Sequence, residues 1–166
     1  GVFIMDLTTG DEININSGEA ISALDLMKIP IVLETYRTLD QLPTLSQRQL
    51  ISATLTTTAD NTSANELLTL LNPDGDPYQA AAQVTTTMQR LGMVNTFITA
   101  PYDAGAPAGQ RAPETPANTV EVLRANPGAT MQTTAEDIGT LLSMIYYCAT
   151  GQGGALPAAF PNQDWQ

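Results

Sequence analysis

The residue with the clearest capacity for chemistry is Lys28, the only lysine in 166 residues. It lies in an apolar run, Ala23-Leu24-Asp25-Leu26-Met27-Lys28-Ile29-Pro30-Ile31-Val32-Leu33. A lysine in such a run either snorkels to solvent or is held by partners in a buried polar site. Asp25, three residues earlier, can reach it across one helical turn. The plain reading is a local ion pair at the start of a core helix. The sharper one is a desolvated lysine acting as a general base. Two other groups carry acids and amides. Ala59-Asp60-Asn61-Thr62 falls at a junction between helices, where Asp and Asn commonly cap. Glu114 and Asn118 lie four apart in a proline-rich segment, where a lone acid is usually just solvated.

Composition narrows the chemistry further. With no histidine, the Ser-His-Asp triad, the Cys-His dyad and most zinc sites are excluded. Catalysis would rest on carboxylates, hydroxyls, amides and Lys28, and no metal or organic cofactor is expected. A net charge of −11 gives no electrostatic footprint for nucleic acid or an anionic lipid surface. Cys148 is the only cysteine, so it makes no internal disulfide and leaves the redox compartment unread. A hydrophobic content of 43% argues against disorder. No stretch approaches the roughly 20 apolar residues of a membrane helix, so a soluble chain without a membrane-spanning segment is expected. The first residues, Val2-Phe3-Ile4-Met5, lack the basic region and cleavage site of a signal peptide, so any targeting segment is expected to have been removed or left out.

The elements that must position these residues follow from periodicity. Residues 2–7 are apolar and β-branched, and residues 12–16 alternate with period two after the turn-rich Thr8-Thr9-Gly10-Asp11. Together they predict a β-hairpin with one face buried. From Ser22 the pattern is helical, with Leu24, Met27, Ile31 and Thr35 near one stripe and Glu34, Arg37 and Asp40 elsewhere; Ser22 or Asp25 is the expected cap. Ser46 with Gln49 reads as a capping box for a helix ending near Thr57. Ala64, Leu67, Leu68 and Leu71 form the face of the next helix. Pro77 fits a first helical position, Ala80, Val84, Met88 and Leu91 follow, and Gly92 is a natural stop. Regularity largely disappears over residues 101–131. Thr133 or Thr134 then caps a helix with Ile138, Leu141, Leu142, Ile145 and Cys148 on one face.

Taken in order, the motifs resemble the landmarks of the class A serine β-lactamases, within the wider penicillin-recognising family. Asp6-Leu7-Thr8-Thr9-Gly10 is similar to the family's D-L-x-x-G turn. Asp25-Leu26-Met27-Lys28 stands where S-x-x-K heads a helix, and Ala59-Asp60-Asn61 where S-D-N joins two helices. Glu114-Thr115-Pro116-Ala117-Asn118 resembles the E-x-x-x-N of the Ω-loop, and Thr133-Thr134-Ala135-Glu136-Asp137 the T-T-x-x-D helix start. The resemblance implies an α+β, β-lactamase-like domain. Its parts would be a hairpin (1–20), a helical lobe (21–100), a long Ω-type loop (101–132), a helix (133–150) and a tail (151–166). By family equivalence the catalytic positions are Asp25, Lys28, Ala59, Asn61, Glu114 and Asn118. The resemblance also implies an extracytoplasmic or secreted location.

Departures from the pattern matter as much as matches. In S-x-x-K the serine is the nucleophile; Asp25 cannot form the usual acyl-serine, and its charge opposes the carboxylate of a β-lactam. The S-D-N serine, a proton shuttle in the family, is Ala59, whereas Asn61, the family's substrate-amide contact, is kept. Glu114 would match the base that activates the deacylating water and Asn118 its partner. In the family further strands follow, one carrying K-T-G; after Cys148 this sequence has neither that motif nor a strand pattern. The remaining strands would come from another chain or segment, or have been trimmed, or the lobe is recapped differently. The expectation is a catalytically inactive module with a structural or binding role, docking to a partner that completes its sheet. The alternative is a serine hydrolase with Asp25 in place of its nucleophile. A peptidoglycan-like peptide or a β-lactam is the ligand class that the resemblance implies.

Overall fold

The computed structural model describes residues 1–56, 61–119 and 129–152. The fold is mixed α+β, with two small antiparallel sheets and six α-helices among the described residues. Strands β1 (Val2–Met5) and β2 (Glu12–Ile15) form the hairpin, with Val2 opposite Ile15 and Ile4 opposite Ile13. The turn between them is closed by Asp6, whose carboxylate accepts from the amides of Thr8 (2.7 Å) and Thr9 (3.2 Å). Those two amides hold the Asp6 carboxyl below its ordinary range.

The buried face of the hairpin is the less obvious one. Phe3 and Met5 are half-buried, while Val2, Ile4, Ile13 and Ile15 face outward and are exposed. Phe3 lies on Gly139 of helix α6 (Ala135–Ala149), so closely that a methyl group at Gly139 would run into its ring. The Tyr147 hydroxyl, two turns further along α6, donates to the Leu7 carbonyl at 3.3 Å.

A second sheet was hidden from periodicity because its strands are only two or three residues long. Strand β3 (Ile21–Ser22), β4 (Phe97–Ile98) and β5 (Met131–Thr133) lie in the order β3-β5-β4. Ser22 is therefore neither a helical residue nor a cap; it pairs with Gln132 of β5. A 3-10 turn, Leu24–Met27, follows without a side-chain cap and runs into α1 (Lys28–Thr38), which puts Pro30 in the first turn of that helix. The expected stripe is corrected at two places. Leu24 is exposed, and Glu34 is fully buried. Buried Glu34 accepts a bidentate pair from Arg37 (2.7 and 2.6 Å) and a hydrogen bond from Gln83 (2.7 Å) on α4 (Pro77–Arg90), tying the two helices together.

Helix α2 (Leu45–Thr56) is capped by Thr44, not Ser46. The Thr44 hydroxyl accepts from the Gln47 amide (3.3 Å), and the Gln47 side chain accepts from the Thr44 amide (2.9 Å). The box lies two residues earlier than its sequence pattern suggested. Helix α3 (Asn61–Leu71) buries Ala64, Leu67, Leu68 and Leu71, as the spacing predicts. Asp76 caps α4 ahead of Pro77, and Gly92, at φ +92°, follows its C-terminus. Helices α1, α3 and α4 enclose the main core, in which Met27, Ile31, Leu67, Leu68 and Val84 are fully buried. A second cluster joins Met88, Leu91 and Met93 to Leu141 of α6. Leu142, expected on the inner face of α6, is instead exposed. The long loop is less bare than expected, since it contains α5 (Pro116–Thr119) and ends in β5. The tail from residue 153 lies outside the described residues. No described helix is long and apolar enough to cross a membrane.

Candidate functional site

The site is built where the 3-10 turn meets α1. Because that turn leads into the helix without a break, Asp25 and Lys28 lie one turn apart, and their side chains pair at 3.0 Å. The two ends differ in setting: the Lys28 side chain is 4% exposed and that of Asp25 is 52% exposed. Lys28 does not snorkel to water. Its ammonium sits 5.8 Å from the centroid of the Tyr102 ring, within cation-π range.

Tyr102 is the site residue that sequence reasoning missed. It is held from both sides. Its hydroxyl donates to the Leu24 carbonyl at 2.9 Å. Its backbone is clamped by Asn65 of α3, whose side chain accepts from the Tyr102 amide (2.8 Å) and donates to the Tyr102 carbonyl (3.0 Å). Burial, and then the charge of Asp25, push its phenol well above the ordinary range, so it stays neutral. The only hint in the sequence is its place in Pro101-Tyr102-Asp103, just after β4.

These residues border a cavity of about 380 Å³ whose walls include Ser22, Leu24, Asp25, Asn61, Tyr102 and Asp103. Asn61, at the start of α3, donates to the Asp103 carboxylate at 3.1 Å across the cavity. Two wall residues have left-handed backbones without being glycine: Leu24 at φ +44° and Asp103 at φ +62°. Such conformations are costly for a leucine and cluster at functional sites. The wall carries two carboxylates, Asp25 and Asp103.

Three of the six expected site positions come together here: Asp25, Lys28 and Asn61. Ala59 lies outside the described residues. Glu114 is exposed and is not part of the cavity wall. Asn118 is committed to holding the loop. Its side chain accepts from the Thr115 amide (2.8 Å) and donates to the Pro113 carbonyl and to the Gln132 side chain (both 2.9 Å). Buried Gln132 in turn donates to the Asn95 carbonyl (2.9 Å) and the Thr115 hydroxyl (2.8 Å), so the loop is pinned on β5 beside Ser22. Among the described residues, no group of three or more acidic, cysteine or histidine side chains is placed to hold a metal ion.

The T-T-x-x-D segment is also structural. The Thr134 hydroxyl caps α6 by accepting from the Asp137 amide (3.0 Å). Buried Asp137 accepts from the Asn95 amide (2.9 Å) and the Thr96 hydroxyl (2.7 Å), fastening α6 to the strand-side loop. Burial raises its carboxyl above the ordinary range despite those donors. Comparison with protein-family models, curated proteins and solved structures finds no match for this chain.

Proposed function

We propose that this chain is a catalytically inactive β-lactamase-like module whose role is binding, in which the place of nucleophile and base is taken by the Asp25–Lys28 ion pair. The observation that carries this reading is that pair itself. With Asp25 paired to Lys28 at 3.0 Å, a carboxylate stands where the resembled family has its nucleophilic hydroxyl, so the usual acyl-serine has no oxygen on which to form. One feature of the sequence supports it: Ala59 stands at the position of the family's shuttle serine. The binding role is to dock a partner on the hairpin of β1 and β2, which forms a two-stranded sheet among the described residues. An extracytoplasmic setting belongs to the same proposal.

A second reading is favoured by one observation. Leu24, immediately before Asp25, keeps a strained backbone that a purely structural turn has no need of. On that reading the chain belongs to a serine hydrolase in which Asp25 replaces the nucleophile. Treatment of the native chain and of Asp25→Ser with a fluorescent penicillin separates the two. The inactive module gives no covalent label on either protein. A label on Asp25→Ser that survives denaturation supports the hydrolase.

A further inference from the structure

A second cavity, of about 420 Å³, runs along the solvent side of α4. Tyr78, Gln79, Ala82, Thr85 and Thr86 border it, and their spacing puts them on the face of the helix opposite the buried Ala80, Val84 and Met88. Gln110 and Pro113 of the long loop supply the other side, and buried Ile98 and Thr99, at the end of β4, close it. In a chain of net charge −11, no described residue that lines this cavity is charged. Arg111 and Glu114 neighbour Gln110 and Pro113 along the loop, yet neither borders it. The polar groups that do are neutral and keep capacity for a ligand. The Gln79 carbonyl accepts from the Asn72 side chain (3.2 Å), which leaves the Gln79 amino group over. The Gln110 side chain makes no hydrogen bond among the described residues. The hydroxyls of Thr86 and Thr99 donate to the carbonyls of Ala82 (2.9 Å) and Thr130 (3.4 Å), and both can still accept.

We propose that this groove between α4 and the long loop is a binding site for a neutral carbohydrate, with Tyr78 as its platform. Charge and edge chemistry select the ligand. A charged ligand would find no ionic anchor in the wall. An extended peptide would add to the outer edge of β4, the last strand in the order β3-β5-β4. That edge is already taken: the Thr85 hydroxyl accepts from the Ile98 amide (2.9 Å) and donates to the Ile98 carbonyl (2.8 Å). A sugar hydroxyl both donates and accepts, which suits the free amino group of Gln79, the carboxamide of Gln110 and the acceptor hydroxyls of Thr86 and Thr99. The C–H face of a pyranose is apolar and packs on an aromatic ring. Tyr78 is 37% exposed, so part of its ring is open to such a ligand, and Ala82 and Pro113 extend the apolar surface. A volume of about 420 Å³ lies within the roughly 300–1,000 Å³ of small-ligand sites. Neither the Asp25–Lys28 pair nor the hairpin takes part, so the site stands or falls apart from the inactive-module reading.

The test titrates the full chain with cellotriose, maltotriose, mannotriose and tri-N-acetylchitotriose, followed by saturation-transfer NMR. At least one is expected to bind with a Kd of about 1 mM or tighter, and equally well in low and high salt. Tyr78→Ala is expected to weaken that binding at least about tenfold and Thr86→Val about threefold, each with native circular dichroism. Tyr78→Phe keeps the ring, loses only the hydroxyl that donates to the Gly105 carbonyl (3.4 Å), and is expected to restore the affinity. No binding of any of these sugars at about 10 mM would overturn the proposal. So would binding that Tyr78→Ala leaves unchanged, which would place the sugar elsewhere, or an affinity that falls with salt. A neutral valine-threonine peptide that binds the native chain and not Tyr78→Ala, where the sugars do not bind, would overturn it in favour of a peptide groove.

Discussion

The Lys28 ammonium lies 3.0 Å from the Asp25 carboxylate and 5.8 Å from the centroid of the Tyr102 ring. The pair is asymmetric, because the lysine is buried and the aspartate half exposed. Which partner is removed should therefore matter. Asp25→Asn leaves a buried ammonium with a weaker acceptor and is expected to cost about 1–2 kcal/mol. Lys28→Met keeps the apolar stem and leaves Asp25 to solvent, and is expected to stay within about 1 kcal/mol of the native chain. Urea unfolding of both variants checks the order; a larger loss for Lys28→Met would show that the ammonium itself holds the site together.

Gly139 is required by a close approach rather than by an unusual backbone. A helix normally gains about 1 kcal/mol when alanine replaces glycine. Here the added methyl meets the Phe3 ring, so Gly139→Ala is expected to destabilise by about 1–2 kcal/mol instead. Combining it with Phe3→Ala should remove the clash, leaving the double variant no less stable than Phe3→Ala alone. Thermal unfolding of the four proteins in the cycle gives the coupling directly.

Asn118 is expected to be a fastening of the loop rather than a holder of catalytic water. Asn118→Ala removes three hydrogen bonds and leaves the buried Gln132 carbonyl oxygen without its Asn118 donor, at a cost of about 2–3 kcal/mol. Arg111 is exposed in the same loop, so trypsin should cut there faster in the variant. Glu114→Gln, by contrast, changes an exposed side chain and should leave both stability and cleavage unchanged.

Asp137 gives the fold a pH dependence of definite sign. Burial raises its carboxyl above the ordinary carboxylate range, so the folded chain holds this proton more tightly than the unfolded one. The contribution is fully present below the ordinary range and is lost as pH rises through the raised folded value. Asp137→Asn keeps an acceptor for Thr96 and Asn95 but cannot ionise. Stability measured from acid toward neutrality should fall less in the variant than in the native chain, and parallel profiles would contradict the assignment.

The sequence made the helical lobe legible because its helices are long enough for a 3.6-residue period to show. Ala64, Leu67, Leu68 and Leu71 are buried as their spacing requires, and Pro77 and Gly92 mark the ends of α4. The sheet β3-β5-β4 was not legible, since two or three residues carry no periodicity. Burial of Glu34 was invisible because, beyond its local partner Arg37, it is covered by α4, from which Gln83 donates to it. The hairpin's location could be read but not its orientation: both faces of β1 are apolar, and Gly139, far along the chain, decides which is covered. At the candidate site the Asp25–Lys28 pair followed from spacing alone. Tyr102 did not, because it reaches the site through contacts with Asn65 and Leu24 that no local pattern encodes.

The central claim is that catalysis is lost at more than one position, so restoring the nucleophile alone should not revive it. The most direct measurement is turnover of a chromogenic β-lactam by Asp25→Ser in this chain, with folding confirmed by circular dichroism. The expected result is a rate indistinguishable from that of the native chain and of buffer. Turnover that saturates with substrate and disappears in Asp25→Ser/Lys28→Met would contradict the account and make this a serine hydrolase one substitution away from activity.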